Sequence, residues 1–279
     1  MSAETSVFQP LSLTRSIGDF PIGNIALSEH QRHELAGSNL TAHPHAWLDP
    51  EDVRAFLASG AFTMIAADQT PLAWAGDVPA SDNVFPVENS FFIRHPWDLL
   101  RANEQYVGSL VGNAIEGEIH PAAVIEGVIH LGAGSRILPG VFIEGSVIIG
   151  KNCKIGPNCY IRGNTSIGNG CHIGQSVEIK NCLILSKTNV GHLSYVGDSV
   201  LGANVNFGAG TTVSNLRHDG KNHRSMVNGA LIDTGRRKFG AIIGDSVHTG
   251  INTSIYPGRK LWPGTSTMPG EIVRQDILP

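Results

Sequence analysis

Charge is scarce in this sequence. Only 16% of its 279 residues are Asp, Glu, Lys or Arg, against ~25% in an ordinary soluble domain. Together with 33 glycines, that poverty argues against coiled coils and long helical bundles and for many short strands joined by tight turns. Cysteine is scarce too. Four residues do not make a disulfide framework, and a reducing cytoplasm is the expected compartment. No apolar run approaches the ~18 residues of a membrane span. The opening Met1–Phe8 has no basic stretch leading into an apolar one, so no signal peptide is expected. A net charge of −4 and a pI near 6.3 leave no footprint for nucleic acid or an anionic membrane. What the chain does have is apolar material, 41% of residues, enough for a core and too much for wholesale disorder.

That material is periodic. Stepping by six from Ile119 gives Ile125, Leu131, Ile137, Ile143, Ile149, Ile155, Ile161, Ile167, Ile173, Ile179 and Leu185. Chance would place an aliphatic at all twelve positions with a probability on the order of 10⁻⁷. Two residues before them stand mostly small side chains, among them Ala123, Ser135, Val141, Cys153, Cys159, Thr165, Cys171 and Val177. One residue after come Gly132, Gly150, Gly156, Gly168 and Gly174. This is the hexapeptide pattern of a parallel β-helix, in which three six-residue faces close one triangular coil. The aliphatic fills the interior, and glycine is expected at corners needing positive φ. Solenoids of this repeat class carry two further expectations, a left-handed helix and a homotrimer, neither of which follows from the spacing.

The phase slips after Leu185 and resumes at Val196, Leu201, Phe207 and Val213. A polar excursion occupies 214–240, and the repeat returns at Ile243, Thr249, Ile255, Leu261, Thr267 and Val273. The excursion is either a binding surface or a decorative insertion. Residues 1–95 do not repeat and read as a small α+β domain. Within it, 49–60 has an acidic start and a closing glycine, as a short helix would. Phe62–Ala67 and Leu72–Ala75 read as a hairpin. Residues 96–112 read as an amphipathic linker helix, with Pro96 at its start and apolar residues at 97, 100, 107, 110 and 111. The solenoid takes 113–279. The expected fold is therefore mainly β.

The triangular coil turns spacing into geometry. Glu126, Glu144, Arg162 and Lys180 each follow an inward aliphatic and stand three hexads apart, so they form one vertical column. Such a column is either a surface ion-pair ladder, worth little, or, at its cationic end, a phosphate clamp of Arg fork and Lys point charge. His218 and His223 would need a third histidine to bind zinc, and none lies at a coil-related position, so no metal site is expected. Cys153, Cys159 and Cys171 fall in the small inward column and read as core. His192 differs. It lies where the repeat slips, among small residues and three before Tyr195, and a neutral imidazole is the usual general base near pH 7.

At these residues the sequence resembles a known family. The segments Val-Glu-Ile-Lys180, Val-Gly-His-Leu-Ser-Tyr-Val-Gly-Asp198, Asn-Val-Asn-Phe-Gly-Ala-Gly210 and Lys-Phe-Gly-Ala-Ile-Ile-Gly-Asp245 stand in order. They resemble the acetyltransferase half of the glucosamine-1-phosphate acetyltransferase/N-acetylglucosamine-1-phosphate uridylyltransferase family. The excursion and the Pro96-Trp-Asp-Leu-Leu connector resemble its archaeal-type sugar-1-phosphate versions. The resemblance implies a cytoplasmic, homotrimeric, acetyl-CoA-dependent N-acetyltransferase acting on an amino-sugar 1-phosphate, with no metal required. It implies His192 as general base, Glu178 orienting the imidazole, and Asn206 and Tyr195 contacting the sugar. Arg162 and Lys180 would hold the phosphate, and Lys238 would add a further phosphate or sugar contact. Asn215 would lie near the acetyl group or the pantetheine arm, and backbone NH groups around Ala209 and Gly210 would meet the oxyanion. The family's Gly-x-Gly-Thr-x-Met nucleotidyltransferase loop is absent from this chain, so residues 1–95 read at most as a remnant of that domain. Two alternatives stand beside the acetyltransferase: a surviving sugar-1-phosphate nucleotidylyltransferase, and a non-catalytic β-helix that binds sugar nucleotides.

Overall fold

The computed structural model describes residues 6–279. They divide into two units, one comprising 15–21 and 25–94, the other the segments up to 14, 22–24 and 95–279.

The smaller unit holds helix α1 (Leu27–Glu34), helix α2 (Pro50–Ser59) and a four-stranded sheet. Asp49 caps α2 by accepting from the amides of Glu51 and Asp52, and Gly60 closes it at φ 70°. Both follow from the ordinary chemistry of helix ends. Strands Thr63–Ile65 and Pro71–Ala75 form the expected hairpin.

The larger unit is a parallel β-helix. Its first face stacks Ile119, Ile137, Ile155, Ile173, Val190 and Phe207. Its second stacks Ile125, Ile143, Ile161, Ile179, Val196, Val213, Ile255 and Val273. Its third stacks Leu131, Ile149, Ile167, Ile184, Leu201, Ile243 and Leu261. From Ile129 onward these aliphatics are at most 2% exposed and form one continuous core. Full burial of each contributes about 1.5–3 kcal/mol, and this hydrophobic column holds the coils together. Cys153 and Cys159 sit inside it, their thiols donating to the carbonyls of Gly168 and Gly174. Where Thr249 and Thr267 replace aliphatics, their hydroxyls pair with those of Thr211 and Thr253, as buried polar groups require.

Two expectations change in detail. The repeat shortens one hexad before the sequence suggests. Ile167 pairs with Ile184 and Ile179 with Val196, so these coils are one residue shorter than those below. The corner after Lys180 has one residue fewer than the corner after Arg162, and Leu185 lies one position past the inward column. Of the glycines after the aliphatics, Gly156 has the expected positive φ, at 103°, and the others serve a different need. Gly150 and Gly174 do not have positive φ. A Cβ on either would overlap the coil above, at Asn169 and Gly191, so close stacking demands them. Many left-handed corners instead fall on polar residues, including Asn152, Asn158, Asn181, Asp198 and Asn252, whose short side chains tolerate that region.

Helix α3 covers Asp98–Gly108. It packs on the third-face strands around 147–149, 165–167 and 183–184. Leu99, Leu100, Ala102 and Val107 are buried under it. Asn103 pins it, accepting from Ser166 Oγ at 2.7 Å and donating to the Asn164 carbonyl at 3.0 Å. The helix is shorter than the 96–112 expected. It ends at Gly108, and Val111 beyond it is 96% exposed. The excursion contains an antiparallel hairpin, Arg224–Val227 with Ala230–Asp233. Among the described residues no helix is long and apolar enough to cross a membrane.

Candidate functional site

The column expected from the coil spacing is present. Glu126 pairs with Glu144, Glu144 with Arg162 and Arg162 with Lys180, all pointing outward on the second face. Each cation has a carboxylate partner. Arg162 donates from Nε at 2.9 Å and from Nη2 at 2.7 Å to Glu178 Oε1, which leaves its Nη1 for a further anion. Lys180 Nζ donates to Asp198 Oδ2 at 3.0 Å. Below them Tyr160 donates to Glu144. Glu178, expected to orient the His192 imidazole, accepts from Arg162 within the chain.

Asp198 is not among the expected site residues. Its side chain is 4% exposed, and it accepts from Lys180, from Asn181 Nδ2 at 3.0 Å and from Asn215 Nδ2 at 2.6 Å. It therefore fixes two of the expected site residues at once. Asn215 Nδ2 also donates to the Tyr195 hydroxyl at 2.9 Å. Burial, with Asp198 and Glu178 nearby, pushes the Tyr195 phenol up to about 12, so it stays a neutral donor at physiological pH. The short coil makes this cluster possible. With one corner residue missing, Gly197 rather than a side-chain-bearing residue stacks over Lys180. A Cβ at Gly197 would crowd Asn215 Nδ2 and the Tyr195 hydroxyl. The sequence signal for Asp198 is its place in the Gly-Asp corner that closes the His192 segment.

The remaining expected residues lie elsewhere on the coil. His192 is exposed, on the corner between the first and second faces. There its carbonyl accepts from the Gly210 amide at 2.9 Å. That bond occupies the Gly210 NH, one of those expected to meet an oxyanion. Ala209 lies on the same corner one coil above, its carbonyl accepting from the Asn252 amide at 2.7 Å. Asn206 is exposed on the first face and stacks on Asn189, which stacks on His172. Burial, then Lys154 and His192, hold His172 below the usual histidine range. Lys238 is exposed at the base of the excursion, bridged to Leu216. Arg162, Glu178, Lys180, Tyr195 and Asn215 thus form one cluster on the second face. His192, Asn206, Ala209 and Gly210 form another on the first face and its corner.

Among the described residues no group of three or more His, Cys, Asp or Glu is arranged to hold a metal. His223 is buried, its Nε2 lying 3.0 Å from the Asn215 carbonyl, and burial lowers its pKa. It is a structural prop for Asn215.

The fold and this polar face define the chain's larger unit as a hexapeptide-repeat β-helix with an outward hydrogen-bonded cluster. Comparison with known proteins narrows the class. The family described as "GMPPB C-terminal domain" matches residues 143–259. A bifunctional sugar-1-phosphate nucleotidylyltransferase/acetyltransferase of Sulfurisphaera tokodaii is 49% identical over 73 residues, 26% of this chain and 18% of that protein. The "Bifunctional protein GlmU" of Methanococcus maripaludis strain C7 is 48% identical over 169 residues, 61% of this chain and 41% of its own length. Its counterpart in another strain of that species is 40% identical over 187 residues, 66% and 44%. Among solved structures, the acetyltransferase domain of PglB from Neisseria gonorrhoeae aligns over 64% of this chain and 65% of its own, at 11% identity and a TM-score of 0.26. That likeness is too low to carry weight. The chain is similar to these bifunctional proteins, and it spans less than half the length of each.

Proposed function

We propose that the chain is an acetyl-CoA-dependent N-acetyltransferase acting on an amino-sugar 1-phosphate, with glucosamine 1-phosphate as the substrate. The observation that carries this reading is the second-face cluster, Arg162 and Lys180 stacked in adjacent coils beside Tyr195 and Asn215, in a chain similar to a protein named a sugar-1-phosphate nucleotidylyltransferase/acetyltransferase. Arg162, with its fork half taken by Glu178, offers Nη1 to a phosphate oxygen. Lys180 adds a point charge, and Tyr195 offers a neutral hydroxyl to the sugar. Lys238 is the further phosphate contact, and Asn206 the further sugar contact.

In the reaction the sugar amine attacks the thioester carbonyl of acetyl-CoA, and the C–S bond breaks as the C–N bond forms. His192 takes the amine proton and returns it to the departing thiolate. The Ala209 amide is the oxyanion donor, since the Gly210 amide is already engaged, and Asn215 lies toward the acetyl end. The two clusters occupy different sides of the coil, which supports a homotrimer in which the His192 corner of one copy faces the second face of the next. Proximity across that interface supplies much of the rate. Dependence on acetyl-CoA fits a cytoplasmic location.

The test is free-thiol release from acetyl-CoA and glucosamine 1-phosphate without added metal, with galactosamine 1-phosphate and His192→Ala run alongside. Turnover lost in the variant is the expected result. Silence from a well-folded protein would sink the proposal and favour a sugar-nucleotide-binding role.

A further inference from the structure

The excursion carries charge out of proportion to its size. Residues 214–240 hold six Lys or Arg against two Asp, in a chain whose net charge is −4. Two open cavities lie against it. One, of about 510 Å³, is lined by Leu216, His218, Tyr256 and Pro257, and its wall is mainly apolar. The other, of about 600 Å³, is mainly polar and is lined by Lys221, Asn222, Arg224 and Asp233. Arg217 lines both, so the two adjoin. Each is of ordinary ligand size.

The cations differ in availability. Arg217 is committed to Asp219, donating from Nε at 2.8 Å and Nη2 at 2.6 Å, which drives the Asp219 carboxyl well below its usual range. Lys221, Arg224 and Arg237 make no ion pair among the described residues. Gly220 also lines this cavity, and the Arg237 guanidinium reaches its rim, where a Cβ at Gly220 would lie 3.9 Å from Nη2. Asp233 faces this group, with one carboxylate oxygen taken by the Gly235 amide at 2.8 Å. Local charge stays positive. In the other cavity Tyr256, 48% exposed, offers a ring beside Leu216 and Pro257. An aromatic and aliphatic slot joined to a three-cation cleft is complementary to a planar base joined to a polyphosphate.

We propose that the excursion binds a nucleoside diphosphate group, its base against Tyr256 and its phosphates among Lys221, Arg224 and Arg237. The group occurs in free nucleotides and at the end of coenzyme A, and the site reads the shared chemistry. None of these residues belongs to the second-face cluster or the His192 corner, so binding here can be tested separately from acetyl transfer.

The test is calorimetric titration of the whole chain with ADP, coenzyme A, inorganic pyrophosphate and adenosine at low salt. ADP is expected to bind, and the double variant Lys221→Ala/Arg224→Ala to raise its Kd at least about ten-fold with the unfolding midpoint unchanged, both side chains being exposed. Tyr256→Ala is expected to weaken ADP several-fold and leave pyrophosphate unchanged. No ADP binding at millimolar concentration, or an ADP Kd unaltered in the double variant, would overturn the proposal. If coenzyme A weakens in parallel with ADP, the ligand is the coenzyme's nucleotide end. If ADP alone weakens, it is a free nucleotide. Failure of the transferase assay with variant-sensitive ADP binding would refute the proposed activity and leave this site standing.

Discussion

Two regions of the solenoid carry clustered cations, and they hold them differently. On the second face Arg162 and Lys180 are each tied to a carboxylate, and Lys180 is 15% exposed at its side chain. On the excursion Lys221, Arg224 and Arg237 stand exposed without ion-pair partners among the described residues. Paired, half-buried cations give up net charge and gain fixed position, which suits orientation of a reacting group. Unpaired surface cations keep their field and their mobility, which suits attraction and is weakened by salt. Charge that must be precise is held by a carboxylate partner, and charge that must only attract is left in solvent.

If chemistry takes place beside the ladder and not in the excursion, His192→Ala lowers kcat by about 10²–10⁴ with the unfolding midpoint unchanged, as steady-state thiol release would show. A comparable loss from Arg224→Ala would reverse the two roles. The buried partner itself is tested by Asp198→Ala. It strands Lys180 and frees Asn181 and Asn215, and should cost about 3–5 kcal/mol in denaturant unfolding. Adding Lys180→Met should recover most of that loss.

A second buried lysine sharpens the point. Lys260 is 2% exposed, donates to the Gln9 carbonyl at 3.2 Å, and lies 5.9 Å from the centre of the Trp97 ring. Burial pulls its pKa from 10.5 to about 8, with Asp276 only partly opposing. Between those values the unfolded chain binds the proton and the folded chain does not, so stability should rise as pH goes from about 8 to 10.5. The full span is worth about 3 kcal/mol. Lys260→Met should abolish the slope in pH-dependent melting. Arg162→Lys keeps the charge and loses the fork to Glu178, so KM for the sugar phosphate should rise about ten-fold with kcat less affected. The smallest effect belongs to the surface pair. Arg217→Ala should leave the melting temperature unchanged, since its partner Asp219 is solvent-exposed.

Much of this is legible without coordinates. Eleven of the twelve aliphatics, the Glu126–Lys180 column, the α2 cap at Asp49 and the Phe62–Ala75 hairpin all rest on short-range rules or a fixed period. The departures share a cause. Composition assigns the corner glycines to φ, whereas the constraint at Gly150 and Gly174 is the backbone of the next coil, a neighbour distant in sequence. A period of six puts Leu185 in the core column because it hides a single missing corner residue. Apolar Leu110 and Val111 extend the linker helix to 112 on paper, although Gly108 ends it.

Spacing dictates the β-helix, its bore and the stacking of Arg162 on Lys180, because each face must bury one aliphatic per coil and the outward neighbours then align. What those cations touch is settled by the fold. Shortening one corner by a residue puts Gly197 over Lys180, and with it comes room for Asn215, Tyr195 and the buried Asp198. Hydrogen-bond partners are chosen by small differences in distance between coils, and a pattern of residue types along the chain does not encode them.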